Sequence, residues 1–97
     1  MKVAISKEAE ADLANGFWFY ENQEVGLGHK FRESMKSEIR SLVIHGGTHP
    51  IRNNHQRMVC KSFPYFIYYK LITRNSLLIV AVFSQRRGKD WITKRLG

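Results

Sequence analysis

The chain has 97 residues, 43% hydrophobic and 12% aromatic, with one cysteine and a net charge of +8. That length supports one domain with one core and leaves no room for a second lobe or a deep cofactor cleft, and the apolar content excludes wholesale disorder. The lone Cys60 excludes an internal disulfide, and the early charges Lys7 and Glu8 and a longest apolar run of only Leu77 to Phe83 speak against a signal peptide or a spanning helix; the expected setting is a reducing cytoplasm.

Lys2 to Ile5 alternates polar and apolar residues, with Val3 and Ile5 on one face, which predicts a short first strand. Ser6 then offers a side-chain oxygen to the free amides of a helix start, and Glu8 and Glu10 sit at the positive end of that helix dipole. Ala9, Leu13, Phe17 and Tyr20 recur at helical spacing. Gly16 and the cluster Phe17-Trp18-Phe19-Tyr20 have poor intrinsic helix propensity, so packing has to hold this helix. Asn22, Gly26 and Gly28 interrupt the pattern. Leu27, Phe31, Met35, Ile39 and Leu42 then share one helical face, with Lys30, Glu33, Lys36 and Arg40 pointing away. Two amphipathic helices with a short break predict a helical hairpin whose stripes cover a common surface.

Gly46-Gly47 ends the second helix and Pro50 stops it resuming, and the polar residues 45–56 read as a loop. Three strands follow: Arg57 to Ser62, Tyr65 to Ile72 and Leu77 to Phe83, the last two separated by the turn residues Arg74-Asn75-Ser76. Leu77 to Phe83 is apolar on both faces, the pattern of a central strand covered on both sides. The hairpin can cover one face only, so the C-terminal segment or a partner must cover the other. Gly88 to Leu96 predicts a last short helix with Trp91, Ile92 and Leu96 as its apolar side. The fold class is therefore α+β: a strand, a helical hairpin, a three-stranded antiparallel meander and a short C-terminal helix, in one domain spanning residues 1–97.

Charge is segregated along the chain. Residues 1–51 hold six Lys/Arg against seven Asp/Glu, and residues 52–97 hold ten against one. A one-signed field of this kind attracts nucleic acid, acidic protein segments or an anionic membrane. No GxGxxG, P-loop or HExxH pattern occurs, and no cofactor is expected. His45 and His49 are four apart, but Gly46-Gly47 lies between them and no Cys or acid completes a metal set, so no metal is expected either. Cys60 reads as a small core residue. Asp90 is the only acid after position 51, which leaves nothing for paired-carboxylate chemistry in the sheet half. What remains is cationic and aromatic: Arg57, Lys61, Arg86, Arg87, Lys89, Lys94 and Arg95, interleaved with Tyr65, Tyr68, Tyr69 and Trp91. Guanidinium groups bind phosphates or carboxylates bidentately and aromatic faces stack bases, although strand alternation sends about half of the tyrosines to the core.

Three local signatures accompany this order of elements. The first is Gly26-Leu27-Gly28 with Phe31, then a helix and a loop ending in His49-Pro50. The second is Arg57 followed by Phe63-Pro64-Tyr65-Phe66-Ile67-Tyr68-Tyr69, and the third is Ala81-Val82-Phe83 leading into Arg86-Arg87 and Trp91. Together, over residues 3–95, they resemble the RelE/ParE toxin superfamily of bacterial type II toxin–antitoxin modules, nearer to the ParE, plasmid-stabilisation branch.

The resemblance implies a protein that arrests growth when free and is silenced by the acidic segment of a cognate antitoxin. A ParE-like toxin binds DNA gyrase. A RelE-like one cuts mRNA on the ribosome, and here Arg57, Arg86 and Lys89 would then hold the scissile phosphate. An orphan member keeping only the fold is a third form. Some members place a histidine after the fourth predicted strand; this chain has Ser84 there, with no replacement base nearby, which favours a binding toxin over a ribonuclease. The resemblance further implies that the helical hairpin, with Trp18 and Phe19, faces the antitoxin. The cationic and aromatic residues Arg57, Lys61, Arg86, Arg87, Trp91, Lys94 and Arg95 are then the candidates to bind the target or the antitoxin. The apolar run Phe17 to Tyr20 also allows a homodimer.

Overall fold

β1 (Lys2–Ile5) runs parallel to the last strand, β5 (Ser76–Ser84), in the register Lys2↔Ser76 to Ile5↔Ile79. Between them come the helical hairpin of α1 (Lys7–Glu21) and α2 (Leu27–His45), then β2 (Ile51–Arg52), β3 (His55–Val59) and β4 (Tyr65–Thr73). α3 (Lys89–Leu96) follows β5. This is a computed structural model, and it describes residues 1–97. The sheet has five strands in the order β1-β5-β4-β3-β2, antiparallel except for the β1–β5 pair. The expected α+β class and element order hold.

Local chemistry sets the element ends. Ser6 Oγ accepts the Ala9 N–H at 3.1 Å and starts α1. The break between the helices is held from within: the Glu21 carboxylate accepts the N–H of Gly26 at 3.0 Å and of Gly28 at 2.9 Å. Those backbone hydrogen bonds keep the Glu21 carboxyl below the usual carboxylate range. Gly26 sits at φ 93°, a left-handed conformation that a side chain would strain.

The expected loop over residues 45–56 is corrected by the structure. Ile51 and Arg52 pair with Gln56 and His55, and Asn53 and Asn54, at φ 54° and 60°, form the two-residue turn. Asparagine tolerates this left-handed backbone, and paired left-handed residues make the tight hairpin turn that matches strand twist. The preceding strand has only two residues and both are exposed, so no apolar alternation announces it. β3 accordingly begins at His55 rather than Arg57 and ends at Val59.

The hairpin covers one sheet face. Phe17, Phe31, Met35 and Leu42 pack on Met58, Ile67, Tyr69, Leu77, Ile79 and Val82. The other face is covered by the chain's own C-terminal helix: Tyr68, Ala81 and Phe83 pack with Phe66, Val80, Ile92 and Leu96. β5 serves both layers because it is apolar on both faces. The register slips from Tyr68↔Ala81 to Tyr69↔Ile79, so Val80 has no partner on β4 and forms a bulge. With both faces covered, Tyr65, Tyr68 and Tyr69 are all buried, at 7%, 1% and 0% exposure, so none offers an open face to a base.

A polar network pins the turn after α2 to the sheet. The Tyr69 hydroxyl accepts the Gly47 N–H at 2.9 Å and donates to Gln56 Oε1 at 2.9 Å, while His49 Nδ1 bonds the same hydroxyl. The His49 N–H donates to Gln56 Oε1 at 3.2 Å. Burial, with the neighbouring His45, lowers the His49 pKa below its usual 6.5. The unfolded chain therefore binds a proton there before the folded one does, and stability falls as pH drops below about 6.5. Urea titrations at pH 7 and pH 5 are expected to show a smaller loss for His49→Asn than for the wild type. An unchanged pH slope would remove His49 as the cause.

Candidate macromolecule-binding site

α1 has a groove on each side. The first lies against α2 and encloses about 380 Å³, lined by Leu13, Phe17, Trp18, Met35 and Ile39, with Arg32 and Lys36 at its rim. Helix periodicity produces this arrangement: Trp18 is next to the buried Phe17 and so falls on the shoulder of the hairpin, where 59% of it stays exposed. The Arg32 guanidinium lies 4.5 Å over the Phe17 ring, keeping a cation beside the apolar floor.

The second groove lies between α1, the C-terminal end of β5 and α3, and encloses about 580 Å³. Phe19, Phe83 and Trp91 give it aromatic walls, and Arg86 and Arg87 line it. Arg87 stacks 4.1 Å over the Trp91 ring, whose other contact is an edge-to-face packing on Phe83 at 4.6 Å. Asp12 stands at its inner end. Its carboxylate accepts the Val82 N–H at 2.9 Å and both Arg95 amino groups at 2.9 and 2.8 Å. One carboxylate thus ties α1, β5 and α3 together. Sequence reading passed over Asp12, although its place one turn after Ala9 and one turn before Gly16 puts an acid on a helix face that packs inward.

The sequence-selected cations separate in space. Arg86 and Arg87 are exposed in the turn after β5, and with Trp91 and Arg95 they line the second groove. Arg95 is committed to Asp12, with 23% of its side chain exposed, so it is a clamp within the fold rather than a free cation. Lys89 and Lys94 are exposed on α3. Arg57 is elsewhere, on β3, with its guanidinium 4.2 Å over Phe66 and its Nε buried without a hydrogen-bond partner. Arg57 pairs with Tyr68, and Tyr68 with Ala81, so Arg57 and Ser84 stand roughly 10 Å apart across the sheet and about 10 Å along it. Of Arg57, Arg86 and Lys89, only Arg86 lines the second groove. Lys61 is exposed in the β3–β4 connection, where its N–H donates to Glu38 Oε2 at 2.6 Å. Trp18 and Phe19, adjacent in sequence, line different grooves.

Proton-transfer chemistry finds little support in the second groove. Burial and the neighbouring Tyr20 push the Tyr65 phenol up to about 12, and burial also raises Tyr20 despite the nearby Arg86. No histidine lines the groove, and Asp12 is occupied by Arg95. The arrangement can bind anionic and apolar groups. No three of the His, Cys, Asp and Glu side chains converge as a metal set, and no helix is long and apolar enough to cross a membrane.

No family model matches the chain. No curated protein matches it in sequence. Among solved structures it is similar to a chain of the chromosomal ParDE TA system from P. aeruginosa, with a TM-score of 0.67 at 13% identity. The alignment covers 87% of this chain and 95% of that one. At that identity the likeness is one of architecture, and with the strand–hairpin–meander order and the C-terminal helix in place, the chain has the RelE/ParE-like fold.

Proposed function

We propose that the chain is the toxin of a type II toxin–antitoxin module. It arrests growth by binding an essential target of the DNA gyrase class and is silenced by a cognate antitoxin. The observation that carries this reading is an open apolar groove along the hairpin of a fold shared with a ParDE TA system. Leu13, Trp18, Met35 and Ile39 are spaced to receive the apolar face of a partner helix, and Arg32 and Lys36 match acidic residues on its flanks. That Arg86 alone of Arg57, Arg86 and Lys89 lines the groove, and that Asp12 is occupied, support binding rather than RNA cleavage as the mode of action.

Two measurements test the reading. Induction in growing bacteria should halt replication and raise the DNA-damage response; a stop in translation with intact DNA would point to the ribosome instead. Trp18→Ala is expected to leave stability within about 0.5 kcal/mol of wild type, because the ring is mostly exposed. It should weaken binding of the antitoxin encoded beside the gene by about thirtyfold, as the loss of an aromatic anchor does. Unchanged binding by calorimetry would place the antitoxin on another surface. Light scattering on the free protein tests the alternative use of the groove, a homodimer.

A further inference from the structure

The five strands hold four cations, Lys2, Arg52, Arg57 and Lys70, and no Asp or Glu. All four fall on the back of the sheet, away from the hairpin. Val3 and Ile5 pack on the core under the hairpin, so alternation turns Lys2 and Ala4 to the back. Ile51 pairs with Gln56, which bonds Tyr69 on the front, so Arg52 is on the back. Tyr69 and Leu71 both face the turn at Gly47, which puts Lys70 on the back as well. α3 covers only part of this face, where Ile92 and Leu96 meet Tyr68, Ala81 and Phe83. Beyond it Lys2, Ala4, Arg52, Lys70 and Ile72 are exposed. Gln56 stands opposite Tyr69, so His55 stands beside Lys70. Arg52, His55, Lys70, Leu78 and Ala4 therefore form one row, one residue per strand, roughly 19 Å from end to end. The Lys2 N–H donates to the Asn75 C=O at 2.7 Å, which brings Arg74 to the Lys2 end. Arg57 is folded over the Phe66 ring, which leaves Lys2, Arg52, Lys70 and Arg74 as the exposed cations, none of them in an ion pair.

We propose that this open part of the back face binds the phosphate backbone of duplex DNA without reading its sequence. The choice of DNA rests on the function proposed above: a target of the gyrase class works on duplex DNA, and a protein docked there meets the backbone. With Arg52 at one end and Lys2 and Arg74 at the other, the cations reach phosphates on both sides of a groove about 12 Å wide. No acid on the strands opposes them, so each phosphate contact can release a counterion. A single strand fits less well, because it is held by bases stacked on open aromatic rings. On this face Tyr68 is 1% exposed and Phe66 lies under Arg57. A lipid surface fits less well too. The large apolar side chains exposed on the back are Ile72 and Val59, at opposite ends of the sheet, and they make no continuous anchor.

The test is fluorescence anisotropy of a labelled mixed-sequence DNA duplex titrated with the full chain across a range of salt. Four phosphate contacts give a log–log salt slope of about −3.6, so binding should weaken about 150-fold between about 50 and 200 mM salt. Lys2→Gln/Lys70→Gln/Arg74→Gln, all at exposed positions, should flatten the slope to about −0.9, a loss of about fourfold over the same range. Lys7→Gln/Lys30→Gln/Arg40→Gln removes the same charge from exposed positions on the hairpin and should keep the steep slope. A back-face variant that binds like the wild type would overturn the proposal. An equal loss in the hairpin variant would also overturn it, since net charge alone would then drive binding. So would tighter binding of oligothymidylate, duplex RNA, poly-glutamate or phosphatidylserine vesicles. The duplex is used without any protein target. A chain that arrests growth but ignores DNA therefore loses this inference and keeps the proposed function, and a harmless chain that binds DNA as described does the reverse.

Discussion

Replacing Asp12 by alanine is expected to destabilise the fold by about 2–4 kcal/mol, a large share of what a domain of this size has to lose. The Asp12 side chain is only 11% exposed and Arg95 23%, so the change strands a half-buried guanidinium and leaves the Val82 N–H without its acceptor. The lower end of the range allows for the water that still reaches Arg95. For a chain of this length, 2–4 kcal/mol corresponds to a fall in Tm of roughly 10–25 °C. Arg95→Ala should cost less, because Asp12 keeps the Val82 amide as a donor to its carboxylate. A thermal melt showing Asp12→Ala within a degree or two of wild type would mean that α3 is held by Ile92 and Leu96 alone. Trp91 fluorescence gives a second readout, since release of α3 should expose that ring before the sheet unfolds.

Gly28→Ala is the second large effect, and its cause is steric. A Cβ at Gly28 would lie 2.6 Å from the Phe17 carbonyl oxygen and 2.8 Å from Glu21 Cβ, on the facing helix. Neither neighbour can swing aside, so α1 and α2 must separate. Alanine gains about 1 kcal/mol of helix propensity over glycine, and overpacking of a close contact costs about 1–3 kcal/mol or more. The clash should dominate, with a net loss of up to about 2 kcal/mol and a widened hairpin groove. The proposed antitoxin should then bind Gly28→Ala more weakly than its stability alone explains, measured at a temperature where the variant stays folded. A variant as stable as wild type would show that the hairpin tolerates separation.

The residues that announced themselves were those with a repeating environment. The stripe Leu27, Phe31, Met35, Ile39 and Leu42 marked α2 because every fourth or third position meets the same sheet. Ser6 marked the start of α1 because its hydroxyl performs one local task. Leu77 to Phe83 declared a strand with two covers, and the cover left open by the sequence is α3. The β2–β3 hairpin was illegible because two exposed residues carry no periodicity and an Asn-Asn turn is compatible with many loops. At the candidate site, the exposed pair Arg86-Arg87 could be placed from the end of a buried strand. The fate of Arg95 could not, since its partner lies 83 residues away and no local rule joins them. The grooves were illegible for the same reason: Trp18 and Phe19 differ by about 100° around one helix, and only the tertiary neighbours decide what each faces.

The parallel pairing of β1 with β5 also constrains how the molecule comes into being. Lys2 meets Ser76, so the first strand finds its neighbour only after almost the whole chain is in place. The α1–α2 hairpin rests on near-neighbour contacts and can form early. Its stripe then stays unprotected until β4 and β5 arrive, and the closing step carries the entropy cost of a long loop. Such a topology gives assembly a late, all-or-none step, and a chain interrupted before residue 79 lacks both the edge strand's partner and α3.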